Sequence, residues 1–293
     1  MATLRDIKRR IGAIGNTSKI TQAMRMVSAA KLRRAQNAIT SARPYTDNLA
    51  KMMKNLVSTV GEDYSHDLIQ NRKAVKNIAV VVVSSDRGMC GSFNTNLLRL
   101  VTRFLKEEYK TLAPDAVITA IPVGKKALNF MQRENISFPV EFSGIFQKLE
   151  FASAKAITDH VAQGFINGTY DKVLIYYNEF KNLISQVPKL ITLLPIASDI
   201  PEANASSIDY IFEPNQAEIL DVLLPKHIEI QVWKTLLESS ASEQAARMVA
   251  MENATKNAKD LIKSLQLVYN KERQAAITKE MLEIVGGAEA LHK

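Results

Sequence analysis

Hydrophobic positions recur at two different periods along this chain. At the N-terminal end Leu4, Ile7, Ile11 and Ile14 fall at alternating three- and four-residue spacings, the seam of a coiled coil. Ser18 and Thr21 hold the next two seam positions, while Ile20, Met24 and Val27 resume the spacing in a shifted register. The pattern therefore predicts a local irregularity near residues 16–19. After Gly12 and Gly15 no glycine or proline interrupts the chain until Pro44. At the other end, residues 226–285 run sixty positions without either breaker. As one helix, at about 1.5 Å per residue, that run would span roughly 90 Å. In its last turns Ile277, Met281, Ile284 and Ala288 restore the seam spacing. So long a helix cannot bury its own apolar stripe and needs a partner. The expected arrangement is an antiparallel pair of terminal helices forming a shaft, with the region around Met24 near the last turns of the C-terminal helix.

Between the helical ends the period shortens. Residues 77–84 (NIAVVVVS) form a β-branched run suited to a parallel strand buried on both faces. Residues 115–123, 171–177 and 189–194 are further strand candidates. Helical patterns at residues 94–110, 125–134 and 151–165 separate them. Alternating strands and helices with short turns predict a Rossmann-like α/β domain inserted between the helices. The expected division is residues 1–60 as N-terminal helix, 61–207 as α/β domain and 208–293 as C-terminal helix.

Composition narrows the class. The chain has 293 residues, 46% hydrophobic and 23% charged, normal for a globular protein with a sizeable core. No apolar run approaches the length of a membrane span, and no apolar leader opens the sequence. A single cysteine, Cys90, excludes an internal disulfide and fits a reducing compartment. The net charge of +8 is uneven: residues 1–60 carry +10, residues 61–200 carry +2 and residues 201–293 carry −4. Three readings compete for the basic first helix. A transit peptide would be shorter than this pattern. Nucleic-acid binding lacks aromatic residues within positions 1–44 and any recognition motif. An acidic protein partner, or an anionic bearing surface, remains.

Catalytic signals are weak. A phosphate loop around Gly124-Lys125 fails, because Thr119 stands where glycine is needed and Lys126 where serine or threonine is needed. The run at residues 87–92 (RGMCGS) lacks the third glycine of a dinucleotide fingerprint, Asn94 standing in its place, and reads as a tight strand-to-helix turn. His66, His160, His227 and His292 lie far apart with no ligand spacing. Cys90 has no nucleophile signature around it. No cofactor or metal is called for, and the residues describe a non-catalytic coupling protein. The alternatives are a nucleotide-dependent enzyme on the central α/β domain or a basic nucleic-acid-binding coiled coil.

Four stretches are more specific: residues 20–31 (ITQAMRMVSAAK), 85–94 (SDRGMCGSFN), 242–257 (SEQAARMVAMENATKN) and 267–286 (LVYNKERQAAITKEMLEIVG). Together, and in this order, they resemble the gamma-subunit family of rotary (F-type) ATP synthases across essentially the whole chain. The resemblance implies a central-stalk rotor that couples ion flow through a membrane ring to ATP synthesis or hydrolysis in an alpha-beta hexamer. It implies no catalysis by the subunit itself.

Site residues follow by the same resemblance. Met24, Arg25, Arg247, Gln274, Thr278 and Glu280 match positions that contact the catalytic hexamer. Lys31, Arg33, Arg34, Tyr210 and Glu213 match positions at the rotor ring and the epsilon subunit. The implied partners are the alpha, beta and epsilon subunits and the membrane c-ring, with no nucleic acid and no membrane span. The implied location is peripheral, on the cytoplasmic face of a bacterial inner membrane, the mitochondrial matrix side being the less favoured alternative. Met89 stands where the family more often has leucine, a volume-conserving exchange. The cysteine-bearing insertion of the chloroplast type is missing, so dithiol control is not expected.

Overall fold

A computed structural model of the chain describes residues 3–59, 66–70, 72, 74–108, 116–196, 213 and 215–291. The element order is α1 (Leu4–Thr59), β1 (Asn77–Val83), α2 (Phe93–Arg103), β2 (Val117–Val123), α3 (Lys125–Arg133), α4 (Phe151–Ile166), β3 (Lys172–Phe180), β4 (Gln186–Leu194) and α5 (Gln216–Leu291). The chain forms two compact units, one of Met1–Ser28 with Met248–Lys293 and one of Ala29–Arg247, so both long helices contribute to each.

The larger unit is built on a four-stranded sheet in the order β2-β1-β3-β4. β1 pairs in parallel with β2 and β3, and β4 returns antiparallel to β3 as an edge. Alternate apolar residues of β1 feed two cores. Ala79, Val81 and Val83 face one that includes Leu49, Met53 and Leu56 of α1, Ile157 and Val161 of α4, and Leu220 to Leu236 of α5. Ile78, Val80 and Val82 face the other, with Leu97 and Val101 of α2 and Ala127 and Met131 of α3. Both faces of the strand are covered, which is why its sequence is a continuous apolar run. All four expected strands and three expected helices are present. Strand bounds shift by up to three residues, β3 running on to Phe180 and β4 starting at Gln186, and the helix expected over residues 94–110 ends at Arg103 and passes into a π-helical turn at Phe104–Glu108, with Phe104 buried against Tyr176. α1 also continues through Pro44 to Thr59.

In the smaller unit α1 opens with a reciprocal cap. The Asp6 N–H donates to Thr3 Oγ1 and the Thr3 N–H to Asp6 Oδ2, each at 3.3 Å. Thr21 Oγ1 lies 2.7 Å from Thr255 Oγ1, and Arg25 Nη1 lies 3.6 Å from Glu252 Oε1. Positions rise on α1 as they fall on α5, so the helices pair antiparallel.

Three expectations about this pair are corrected. The seam of α1 does not slip: Ile7, Ser18, Thr21 and Ser28 are buried in one uninterrupted heptad register, while Ile20 and Val27 are 60% and 57% exposed. The apolar residues drew the sequence reading to the outer face, whereas small polar residues hold the seam because close helix approach needs short side chains there. The Thr21 hydroxyl is satisfied both within its helix, by the Ser18 carbonyl at 3.0 Å, and across the pair, by Thr255 Oγ1.

The second correction concerns Met24, which lies opposite residues near Glu252 rather than the last turns of α5. The third follows from it. Carried along both helices, this register places Leu4 opposite about residue 272, so α5 outruns its partner. Residues 270–288 are exposed throughout, and Ile277, Met281 and Ile284 do not sit in a seam with α1.

Candidate functional site

Within the larger unit, the sequence motifs at residues 85–94 and 242–247 meet in one polar cluster. Ser85 Oγ donates to the Arg87 carbonyl at 2.7 Å, and Asn94 Nδ2 donates to Ser85 Oγ at 2.8 Å and to Cys90 Sγ at 3.1 Å. Arg247 Nη2 donates to the carbonyls of Arg87 and Gly88 at 3.2 and 3.3 Å, while its Nη1 lies 2.6 Å from Glu243 Oε1. Arg247, Glu243 and Cys90 are all buried. Burial pushes the Glu243 carboxyl up despite the opposing pull of Arg247, and burial likewise pushes the Cys90 thiol up. A thiol so placed is not a ready nucleophile. The arginine spends its donors inside the chain, holding the turn that presents Met89 at a φ of 60° and 66% exposed.

The same end of the sheet is where a phosphate would be cradled in a nucleotide-binding relative. Here the chain's own carboxylate fills that role. Asp86 Oδ1 accepts the N–H groups of Lys125 and Gly144 at 3.1 and 2.9 Å, and Oδ2 accepts that of Phe146 at 3.1 Å. Ser84 Oγ accepts the Ala127 N–H at 2.7 Å. The N-terminus of α3 is thus capped from within and offers its first donors to no anion. Among the described residues no three His, Cys, Asp or Glu converge as a metal set. Of the histidines, His66 accepts the Leu68 N–H, His160 packs near Tyr170, His227 is lowered by burial, and His292 lies outside the described residues.

The remaining sequence-derived positions spread over both units. In the smaller one Met24 is half-buried and Arg25 pairs with Glu252 on the wall of a groove that also carries Lys256, Lys259, Asp260 and Lys263. Four cations against two carboxylates make that groove basic. Gln274, Thr278 and Glu280 are exposed near the end of α5, with Thr278 Oγ1 donating to the Gln274 carbonyl at 2.9 Å. Around them Ile277, Met281, Leu282, Ile284 and Val285 are 49–67% exposed. In the larger unit Lys31, Arg33 and Arg34 are exposed, as is Glu213. Tyr210 lies outside the described residues.

Two long antiparallel helices, an inserted α/β domain whose phosphate position is self-occupied, and exposed charged and apolar surfaces are the features of a chain that packs within a larger assembly. Comparison with known proteins names the assembly. A family model described as ATP synthase matches residues 3–291. The ATP synthase gamma chain of Chlorobium phaeobacteroides (strain BS1) is 45% identical over 293 residues, 99% of each chain, and that of Cytophaga hutchinsonii is 42% identical over 295 residues, the whole of both.

Among solved structures, a central stalk and c-ring chain of the Tetrahymena thermophila mitochondrial ATP synthase is 28% identical. It covers 80% of this chain and 99% of its own at a TM-score of 0.55. A chain of the Euglena gracilis mitochondrial ATP synthase OSCP/F1/c-ring structure shares the fold at 23% identity and a TM-score of 0.69, covering 99% of this chain and 94% of its own. This chain belongs to the ATP synthase gamma-chain family. It is a central-stalk component without catalysis of its own, and among the described residues no helix is long and apolar enough to cross a membrane.

Proposed function

We propose that the chain is the rotor that couples ion flow through a membrane c-ring to ATP synthesis or hydrolysis in an alpha-beta hexamer, with the exposed end of α5 seated inside that hexamer. One observation carries the reading: α5 outruns α1 and leaves five large apolar side chains exposed over residues 277–285. A helix end without a packing partner is marginal in water, and apolar residues there call for an apolar sleeve. The gamma-chain relatives point to the same assembly.

In this reading Gln274, Thr278 and Glu280 meet the sleeve beside those apolar residues. Met24 and Arg25, at the basic groove, meet an acidic loop of the beta subunits, and Arg247 acts through the turn it holds. Lys31, Arg33, Arg34, Tyr210 and Glu213 belong to the face that meets the rotor ring and the epsilon subunit. The functional division is residues 1–60, 61–207 and 208–293, and the location is the cytoplasmic face of a bacterial inner membrane.

The test uses the complete membrane-bound complex carrying Met281→Asp with Ile284→Asp. Burying two unpaired carboxylates in an apolar sleeve is strongly unfavourable. ATP-driven proton pumping in vesicles should fall several-fold relative to ATP hydrolysis, while the isolated chain melts unchanged. Pumping and hydrolysis both at the parent level would show that the α5 end has no apolar sleeve.

A further inference from the structure

Along one stretch of α5 the apolar grip on the α/β domain runs out. Between Leu237 and Met251 the buried apolar residues of the helix are alanines only, Ala241, Ala245 and Ala246. A face of alanines lets a helix lie close, but it has no large ridges to stop the helix rolling or sliding. The buried polar residues of the same stretch supply the missing hold. Ser242 Oγ donates to the Asn178 carbonyl of β3 at 3.0 Å, and Asn178 Nδ2 donates in turn to the Phe93 carbonyl at the start of α2 at 3.4 Å. Arg247, paired with Glu243, donates to the Arg87 and Gly88 carbonyls in the turn that follows β1.

The spacing of these two pins matters. At about 100° and 1.5 Å per residue, Ser242 and Arg247 stand about 140° apart around α5 and roughly 7.5 Å apart along it. One pin alone would act as a swivel. Two pins on different flanks, tied to the neighbouring parallel strands β1 and β3, fix both the roll and the height of the helix. Arg247 is also the last residue of the larger unit, so the pins stand where α5 leaves it.

We infer that Ser242 and Glu243 are positioning residues for coupling: with Arg247 they form a two-point torsion lock that fixes the angle of α5 on the α/β domain. This rests on the rotor reading above and goes beyond it, since the contacts assigned there include neither Ser242 nor Glu243. Glu243 acts through Arg247. Its carboxylate keeps the buried guanidinium aimed at the two carbonyls, through charge-assisted bonds stronger than those of a neutral side chain. A joint free to roll would absorb part of each angular step, and ATP would then be hydrolysed with fewer ions moved.

The experiment removes the charges of the lock without stranding either one. Glu243→Leu with Arg247→Met replaces the buried pair by apolar side chains, an exchange that is often neutral for stability. The isolated double variant should melt with the parent, while amide hydrogen exchange at residues 87–91 rises several-fold. In the complete membrane-bound complex, protons pumped per ATP hydrolysed should fall several-fold. Ser242→Ala removes the other pin, leaves the charges in place and should lower the same ratio. Parent-like pumping per ATP in either folded variant overturns the lock. Should the double variant fail to fold, Ser242→Ala decides alone. Absence of ATP-driven pumping from complexes carrying the parent chain would instead overturn the rotor reading, which keeps the two failures apart.

Discussion

At the scale of single residues, the central domain depends on a few positions whose neighbours leave no choice. Gly124 has φ +90°, and a Cβ there would stand 2.4 Å from the Ser84 carbonyl oxygen. Gly124→Ala should cost about 2–4 kcal/mol, read as a lowered urea midpoint, since both backbone strain and a backbone clash oppose it. Asp86→Ala leaves three N–H groups without their acceptor and should cost about 1–3 kcal/mol in the same measurement.

Glu238 gives a pH signature. Burial, opposed by Lys234 and reinforced by Glu179, holds its carboxyl above the usual 4.5, and its Oε2 is buried with no hydrogen-bond partner. Tyr177 beside it is raised as well, chiefly by burial. A carboxyl harder to ionise in the fold than in the unfolded chain contributes stability that is full below pH 4.5 and lost as pH rises through its folded-state value. Glu238→Gln should therefore be more stable than the parent at alkaline pH and equal to it below pH 4.5. Urea midpoints that shift alike at both ends would contradict this. Asp171 works in the opposite sense. Burial raises its carboxyl, but bonds from Asn77, Lys76 and Arg72 outweigh that and hold it below 3.8, so its share is lost only as pH falls past that value.

At the scale of elements, the pairing of α1 with α5 is the testable geometry. Thr21→Cys with Thr255→Cys should crosslink under mild oxidation, because the two hydroxyls are 2.7 Å apart, and buried Cys90 should not compete. Met24→Cys with Met281→Cys, the pairing that the apolar pattern first suggested, should not crosslink in the isolated chain. A non-reducing gel separates the two registers. The reason the pattern misled is physical: Ile20 and Val27 are apolar but face outward, and periodicity alone cannot tell a seam shared by two helices from a surface awaiting a third partner.

At the scale of the whole molecule, the chain should neither bind nor hydrolyse ATP by itself. The helix terminus that would hold a phosphate is already bonded to Asp86 and Ser84, and Arg247 is committed to two carbonyls and Glu243. Isothermal titration of the isolated chain with MgATP should show no heat of stoichiometric binding. A one-to-one isotherm would mean that the α/β domain keeps a nucleotide site of its own.

Sequence alone determined the kinds of elements and their order. A β-branched run such as NIAVVVV is stable only with both faces covered, and long breaker-free runs at helical period can only be helices, so strands, helices and the two-ended plan were legible from local chemistry. Motifs at residues 85–94 and 242–257 were also visible, but not that Arg247 bridges to Arg87 and Gly88, since residues 160 and 159 positions apart meet only through the fold. Tertiary structure decided the register that buries Ser18 and Thr21, the overhang that leaves Ile277 to Val285 exposed, and the pinning of α5 through Ser242 and Arg247. Each depends on where one chain segment ends against another or on which face is shared, and hydrophobicity along a single strand of sequence carries no such information.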